Sequence, residues 1–212
     1  MDKFGHMCAS YYTGVVGIKA YDWTGMNRKE AIWYGGMTGS IFLTIIEILD
    51  GTSEEWGASV GDLLANTSGS LLAIGQALKW NEQRMQLKYS YRPTKYAAIN
   101  PDQLGGNHVE RALKDYNGQT YWITFNIKSL FNIQNEQFPN WLSFALGYGA
   151  DFMRQPYPNQ QVPYSQRGFK RQYIASIDVD LNKIKTKSKT LNSLLHTFGF
   201  LKFPAPAIHY RN

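Results

Sequence analysis

The sequence predicts a mainly α protein: a three-helix N-terminal bundle with small-residue packing stripes, then an irregular C-terminal half with short helices and one small antiparallel strand pair. Three observations carry that prediction. Residues 31–46 form a run without charge, bounded by a helix-start signal at Asn27-Arg28-Lys29-Glu30 and a stop at Gly51. Gly61, Ala65, Gly69 and Ala73 recur every four residues, which lines up one helix face and lets a neighbouring helix approach closely. After Trp80 the chain turns polar and is punctuated by Arg92-Pro93, Asn100-Pro101, Gly105-Gly106 and Asn117-Gly118. These changes divide it into a helical region, 1–80, and a basic, aromatic-rich region, 81–212, expected to wrap the first into one compact unit.

Residues 3–20 read as the first helix and residues 27–50 as the second. Residues 54–80 read as the third, entered through a second capping box at Thr52-Ser53-Glu54-Glu55. The charge-free run falls short of the roughly 20 residues needed to cross a bilayer unless its flanks join in. Beyond Trp80, residues 119–127 and 173–181 alternate in the manner of strands, and residues 139–153 read as a short apolar helix. Residues 154–172 are a Pro/Gln-rich loop, and residues 191–200 form a last amphipathic helix.

Charge is unevenly spread. Residues 1–78 hold 4 Lys/Arg against 8 Asp/Glu and the rest 18 against 8, for an overall +6. The basic half suits anionic headgroups or an acidic partner, and its Tyr and Trp suit a membrane interface. With no zinc knuckle, RNA-binding aromatic motif or helix-turn-helix signature beside the Lys183, Lys185, Lys187 and Lys189 cluster, no nucleic acid is expected as a partner. The expected partner is a membrane surface or an envelope protein complex; the sequence names no small-molecule ligand. The single Cys8 excludes a disulfide framework and reads as a buried structural thiol.

Three polar pairs interrupt the apolar first third: Asp2/His6, Glu47/Asp50 and Asp62/Asn66. Each has helical spacing, so each places two polar groups on one face. If the faces meet, His6, Glu47, Asp50 and Asp62 offer one imidazole and three carboxylates, a donor set suited to a divalent metal ion. Glu47 and Asp50 beside His6 could also work as an acid–base group, so His6, Glu47 and Asp50 are the candidate catalytic residues. The alternative is a buried hydrogen-bond network that holds the helices together. Ser10, Thr13, Ser59 and Ser68 lie nearby, but none sits in a Gly-x-Ser-x-Gly elbow. Gly105-Gly106-Asn107 lacks a preceding apolar strand and reads as a turn, and His108, His196 and His209 are isolated.

Asp2-Lys3-x-x-His6, Glu47-x-x-Asp50-Gly51 and Gly61-Asp62-Leu63-Leu64-Ala65-Asn66-x-x-Gly69, in that order, resemble the YfiM-like family of predicted periplasmic lipoproteins, a domain of unknown function. Lys114–122, Pro139-Asn140-Trp141-Leu142 and residues 171–181 are similar to longer members of Bacteroidetes type. The resemblance implies an address in the envelope of a Gram-negative bacterium, periplasmic and associated with the outer membrane. It implies no reaction. The motif directly after Met1 leads us to expect that a signal or anchor precedes this stretch. The sequence therefore supports an envelope protein with a structural or interaction role. The alternative is a metal-dependent envelope enzyme, a hydrolase acting on a lipid or envelope substrate.

Overall fold

The computed structural model describes residues 1–52, 59–151 and 170–212, and the chain divides into two compact units, Asp2–Leu87 and Lys88–Asn212. In the first unit three helices form: α1 (Asp2–Trp23), α2 (Arg28–Asp50) and α3 (Val60–Trp80). At the start of α2 the Asn27 side chain accepts the Lys29 N–H at 3.0 Å, which satisfies one of the orphan donors of a helix N-terminus. The capping box at Thr52-Glu55 falls largely outside the described residues; Ser59 is the residue that precedes α3. Asn81 ends α3 in the left-handed conformation at φ 56°. At 23 residues α2 is about 34 Å long. It is long and apolar enough to cross a bilayer, and only 33% of its most apolar window is buried.

Glycine sets the distances between the three axes. A Cβ added at Gly39 of α2 would run into the backbone of Ser10 on α1, and one at Gly69 of α3 into Met7 and Tyr11. Gly17 and Gly35 exclude a Cβ from each other in the same way. Ser10 against Gly39 and Gly17 against Gly35 set α2 antiparallel to α1, and Lys3 with Asp62 and Ser10 with Ser70 set α3 parallel to it, so the bundle runs up, down, up. Its buried positions are correspondingly small or polar: Gly14, Gly36, Ser40, Ser70 and Ala73 join a few larger residues such as Tyr11 and Ile74. Ile41, Phe42, Ile45 and Ile48 of α2 and Leu64, Leu71 and Leu78 of α3 face outward and are exposed.

The second unit is built on a five-stranded sheet in the order β1-β2-β3-β4-β5, where the sequence suggested a single strand pair. The strands are β1 (Met85–Tyr91), β2 (Gln119–Asn126), β3 (Leu142–Asp151), β4 (Lys170–Val179) and β5 (Ala207–Arg211). The pairs β2/β3, β3/β4 and β4/β5 are antiparallel. Between β1 and β2 lie α4 (Lys95–Ile99), α5 (Pro101–Leu104) and α6 (His108–Lys114); α7 (Ile127–Leu130) follows β2 and α8 (Lys189–Thr197) precedes β5. Of the short apolar helix expected over residues 139–153, residues 142–151 are instead β3; residues 152–153, like most of the loop expected over 154–172, lie outside the described residues. The large β3 residues Leu142, Phe144, Leu146 and Tyr148 alternate with Ser143, Ala145, Gly147 and Gly149, and the small apolar members hid the two-residue period. Gly147 makes room for its cross-strand partner Trp122, whose ring a Cβ there would strike.

The sheet is strongly coiled. In a flat sheet β1 and β4 stand about 14 Å apart. Yet Lys88 Nζ on β1 lies 2.7 Å from Asp178 Oδ2 on β4 and donates to the Val179 carbonyl at 2.8 Å. Lys202 Nζ approaches the other Asp178 oxygen at 3.7 Å and sits 4.9 Å above the Trp122 ring. Its backbone N–H donates to the Tyr89 carbonyl at 2.9 Å, so the segment leading into β5 also touches β1. The Lys88 and Asp178 side chains are fully buried. The inner face is thus ionic and polar, with Trp122, Ala145 and Ile174 as its apolar patch.

Two glycine substitutions should separate close packing from helix propensity. Gly39→Ala should lower the stability of the helical unit by about 1–3 kcal/mol, because the new methyl meets backbone that cannot retreat. Gly75→Ala, at a position with nothing within 4 Å, should raise it by about 0.5–1 kcal/mol. Thermal unfolding followed by circular dichroism reads both; a neutral Gly39→Ala would mean the helices are not in backbone contact.

Candidate functional site

The polar faces of α1, α2 and α3 do meet, at the end of the bundle where α1 and α3 begin and α2 finishes. Here the imidazole of His6 is the hub. Its Nδ1 lies 3.1 Å from Asn66 Oδ1 and 3.5 Å from Glu47 Oε1, so an Nδ1–H proton faces two acceptors. Its Nε2 is 3.9 Å from Asp2 Oδ1, one helical turn earlier. Glu47 is buried, and its second oxygen accepts the Ser59 backbone N–H at 3.2 Å. That contact places a carboxylate at the N-terminus of α3, where the helix dipole favours negative charge. One residue of α2 therefore holds both α1 and α3.

Asp62 is buried and takes the Lys3 ammonium at 2.6 Å, while the same ammonium reaches Ser59 Oγ at 3.0 Å. Burial pushes the Asp62 carboxyl upward, but the hydrogen bonds from Lys3 and Ser59 and the positive charge of Lys3 prevail and hold it below the usual carboxylate value. Deeper in the bundle Ser10 Oγ donates to the Asn66 carbonyl at 2.5 Å and lies 2.9 Å from Ser70 Oγ, which accepts the Ser40 N–H at 3.0 Å. Ser68 donates to the Leu64 carbonyl within its own helix. Ser10, Ser59 and Ser68, weighed as nucleophiles, are thus engaged by backbone or neighbouring side chains. Asn66 Nδ2 is buried and without a hydrogen-bond partner.

Of the four sequence-predicted ligands, the structure brings His6 together with Glu47 and sets Asp62 close by. Asp50, at the last turn of α2, has no ion pair or hydrogen bond with these groups among the described residues. Asp2, His6 and Asp62 carry ligand atoms that lie within 4.8 Å of one another, a different trio from the one spacing suggested. Sequence reasoning missed the reach of Lys3 to α3 and the Ser10–Ser70–Ser40 ladder. The i,i+4 rule pairs residues on one helix, and these partners are some sixty residues apart or on a third helix. It also missed Lys88, Asp178 and Lys202, which share no sequence neighbourhood. Cys8 is buried on α1, as a structural thiol should be.

Residues 1–76 match the model of the family described as predicted periplasmic lipoprotein (DUF2279). The match bears out the resemblance drawn from the Asp2, Glu47 and Asp62 motifs, covers the helical unit almost to its end and carries a periplasmic address. No curated protein and no solved structure matches the chain.

The Lys3–Asp62 pair has a pH signature. Because the folded pKa of Asp62 is depressed, its contribution is complete above the unfolded value of about 3.9 and is lost as pH falls through the folded value. Replacing Lys3 by Met should raise the folded value and move acid unfolding to higher pH. The stability gap between the two proteins should be widest near neutrality and close as pH falls through the folded value of Asp62. A gap that stays constant down to strong acid would show that Lys3 acts by packing alone.

Proposed function

We propose that this protein is a structural component of the periplasmic envelope, held against a membrane, with the outer membrane as its place of association. In this reading the His6–Glu47–Asp62 cluster is a clamp between helices and not a catalytic centre. The observation that carries the proposal is the inverted polarity of the helical unit. Its seam holds glycines, serines, Asn66, Glu47 and Asp62, while its exterior presents Ile41, Phe42, Ile45, Leu64 and Leu71 to the surroundings. Water rewards the opposite arrangement; lipid rewards this one, where close small-residue contacts and interhelical hydrogen bonds hold helices together.

The ends of the bundle support the same reading. Tyr21 and Trp23 at the end of α1, Trp33 and Tyr34 at the start of α2, all exposed, lie at one end together with Arg28, Lys29 and Lys79. Asp22 and Glu30 share this end, with Arg28 paired to Asp22, and amphipathic rings among charged groups fit the headgroup level of a bilayer. The metal-dependent envelope enzyme stays as the second reading, favoured by the Asp2/His6/Asp62 trio alone. Against it stands the Lys3 ammonium, which already occupies Asp62 at 2.6 Å.

Flotation of the purified chain with liposomes tests the first reading. The wild-type chain should float and resist a high-salt wash. Ile41→Asn/Phe42→Ser/Ile45→Asn should shift most of it to the unbound fraction with helical circular dichroism retained. A chain that never floats overturns the membrane reading. Elemental analysis of protein purified without added metal tests the second: a stoichiometric metal lost in His6→Ala would replace the clamp with a metal centre.

A further inference from the structure

The outward face of the coiled sheet is sorted by depth. The register aligns Tyr121 with Tyr148, Tyr148 with Tyr173 and Tyr173 with Tyr210, a row of four tyrosines crossing β2 to β5 at one level. Successive rings stand 5.6 Å apart for Tyr148 and Tyr173 and 6.5 Å for Tyr173 and Tyr210. Two residues further along the strands, on the same face, the register places Ile123, Leu146 and Ile208; one step beyond come Phe125, Phe144 and Ile177. Ile208 is 78% exposed and Ile177 51%. In the other direction, at the end of the strands, Arg171 follows on the same face while Lys170 and Arg211 alternate onto the other face at the rim; all three are exposed, and Asp151 stands opposite Lys170. The opposite, inner face holds the buried Lys88–Asp178–Lys202 group.

Resting on the membrane reading above, we propose that this face docks on a lipid bilayer containing anionic lipid. The tyrosine row lies at headgroup level, the Ile/Leu and Phe/Ile rows enter the acyl region, and the basic rim meets lipid phosphates. A protein partner would need no such ordering of charge, amphipathic ring and pure hydrocarbon along one axis. A bilayer has the same ordering over the same few ångströms, and membrane strands carry it as apolar-out, polar-in alternation with an aromatic girdle. The excess positive charge at the rim supplies the complement to anionic headgroups.

The test uses the full chain with Ile208→Cys, labelled with an environment-sensitive fluorophore, and with Gln134→Cys, an exposed loop position, as control. Cys8, buried on α1, leaves the introduced thiol as the accessible one. Vesicles of phosphatidylcholine with phosphatidylglycerol, some bearing a quencher on the acyl chain, are the probe. The label at 208 should shift to the blue and be quenched from within the bilayer, and that at 134 should do neither. Lys170→Ser/Arg171→Ser/Arg211→Ser should weaken binding to the anionic vesicles about tenfold or more and leave binding to pure phosphatidylcholine unchanged. Flotation with a silent label at 208 overturns this proposal while the membrane reading stands. Absence of flotation overturns both. A blue shift at 208 without vesicles that grows with protein concentration assigns the face to a second copy of the chain and overturns the lipid.

Discussion

Backbone-to-backbone contact between helices is the constraint from which the helical unit follows. Gly39 against Ser10, Gly69 against Met7 and Gly17 against Gly35 leave no space for a side chain between the axes. Most large apolar residues are therefore displaced outward, which is why Ile41, Phe42, Ile45 and Ile48 of α2 and Leu64, Leu71 and Leu78 of α3 lie on the exterior, with Ile32 and Ile74 kept inside. The same closeness brings short polar side chains within reach of the next helix. Ser10 can bond the Asn66 carbonyl, and Ser70 can take the Ser40 N–H, because the backbones are already neighbours. Small residues in the seam thus determine both the polar interior and the apolar exterior.

The second unit arrives at an apolar exterior by another route. A sheet has two faces, and coiling decides which of them is enclosed. Here the enclosed face carries Asp178 between Lys88 and Lys202. A buried ion pair of this kind costs several kcal/mol in desolvation and is a poor source of net stability, yet removing one member leaves a charge with no partner. It therefore fixes which strands must converge. Small inward residues on β3 allow the curl, since Gly147 yields its space to Trp122. Tyr148, Tyr173 and Tyr210 with Leu146, Ile177 and Ile208 are left on the outside.

The helical half was legible because its signals are local. The Asn27 cap, the uncharged run of α2 and the four-residue stripe of α3 each act within a turn or two, and each appears in place. The site was legible in part: helical spacing finds which residues share a face, so His6 and Glu47 were found, but it cannot find Lys3 on Asp62, which depends on how the helices pack. The sheet was the least legible. Strand β3 alternates large with small residues, and a reading that counts alanine and glycine as apolar sees a continuous helix-like run. Strand β1 hides its pattern because Gln86 and Lys88 point inward, where water-based alternation expects hydrocarbon.

That last failure connects the fold to the function. Sequence patterning assumes that water lies outside, so polar residues are assigned to the surface and apolar ones to the core. In this chain Lys88, Asp178, Glu47, Asp62 and Asn66 are buried while Ile45, Leu64, Tyr173 and Ile208 are exposed. Two units of different architecture share the inversion, and each supplies its buried charges with partners: Lys3 on Asp62, Ser59 on Glu47, Lys88 on Asp178. A cluster of ionisable groups with unfilled valences would point to chemistry. These groups spend theirs on neighbouring elements, so they specify register in a protein whose apolar surface is directed outward. The polar seam and the apolar exterior are two consequences of one arrangement.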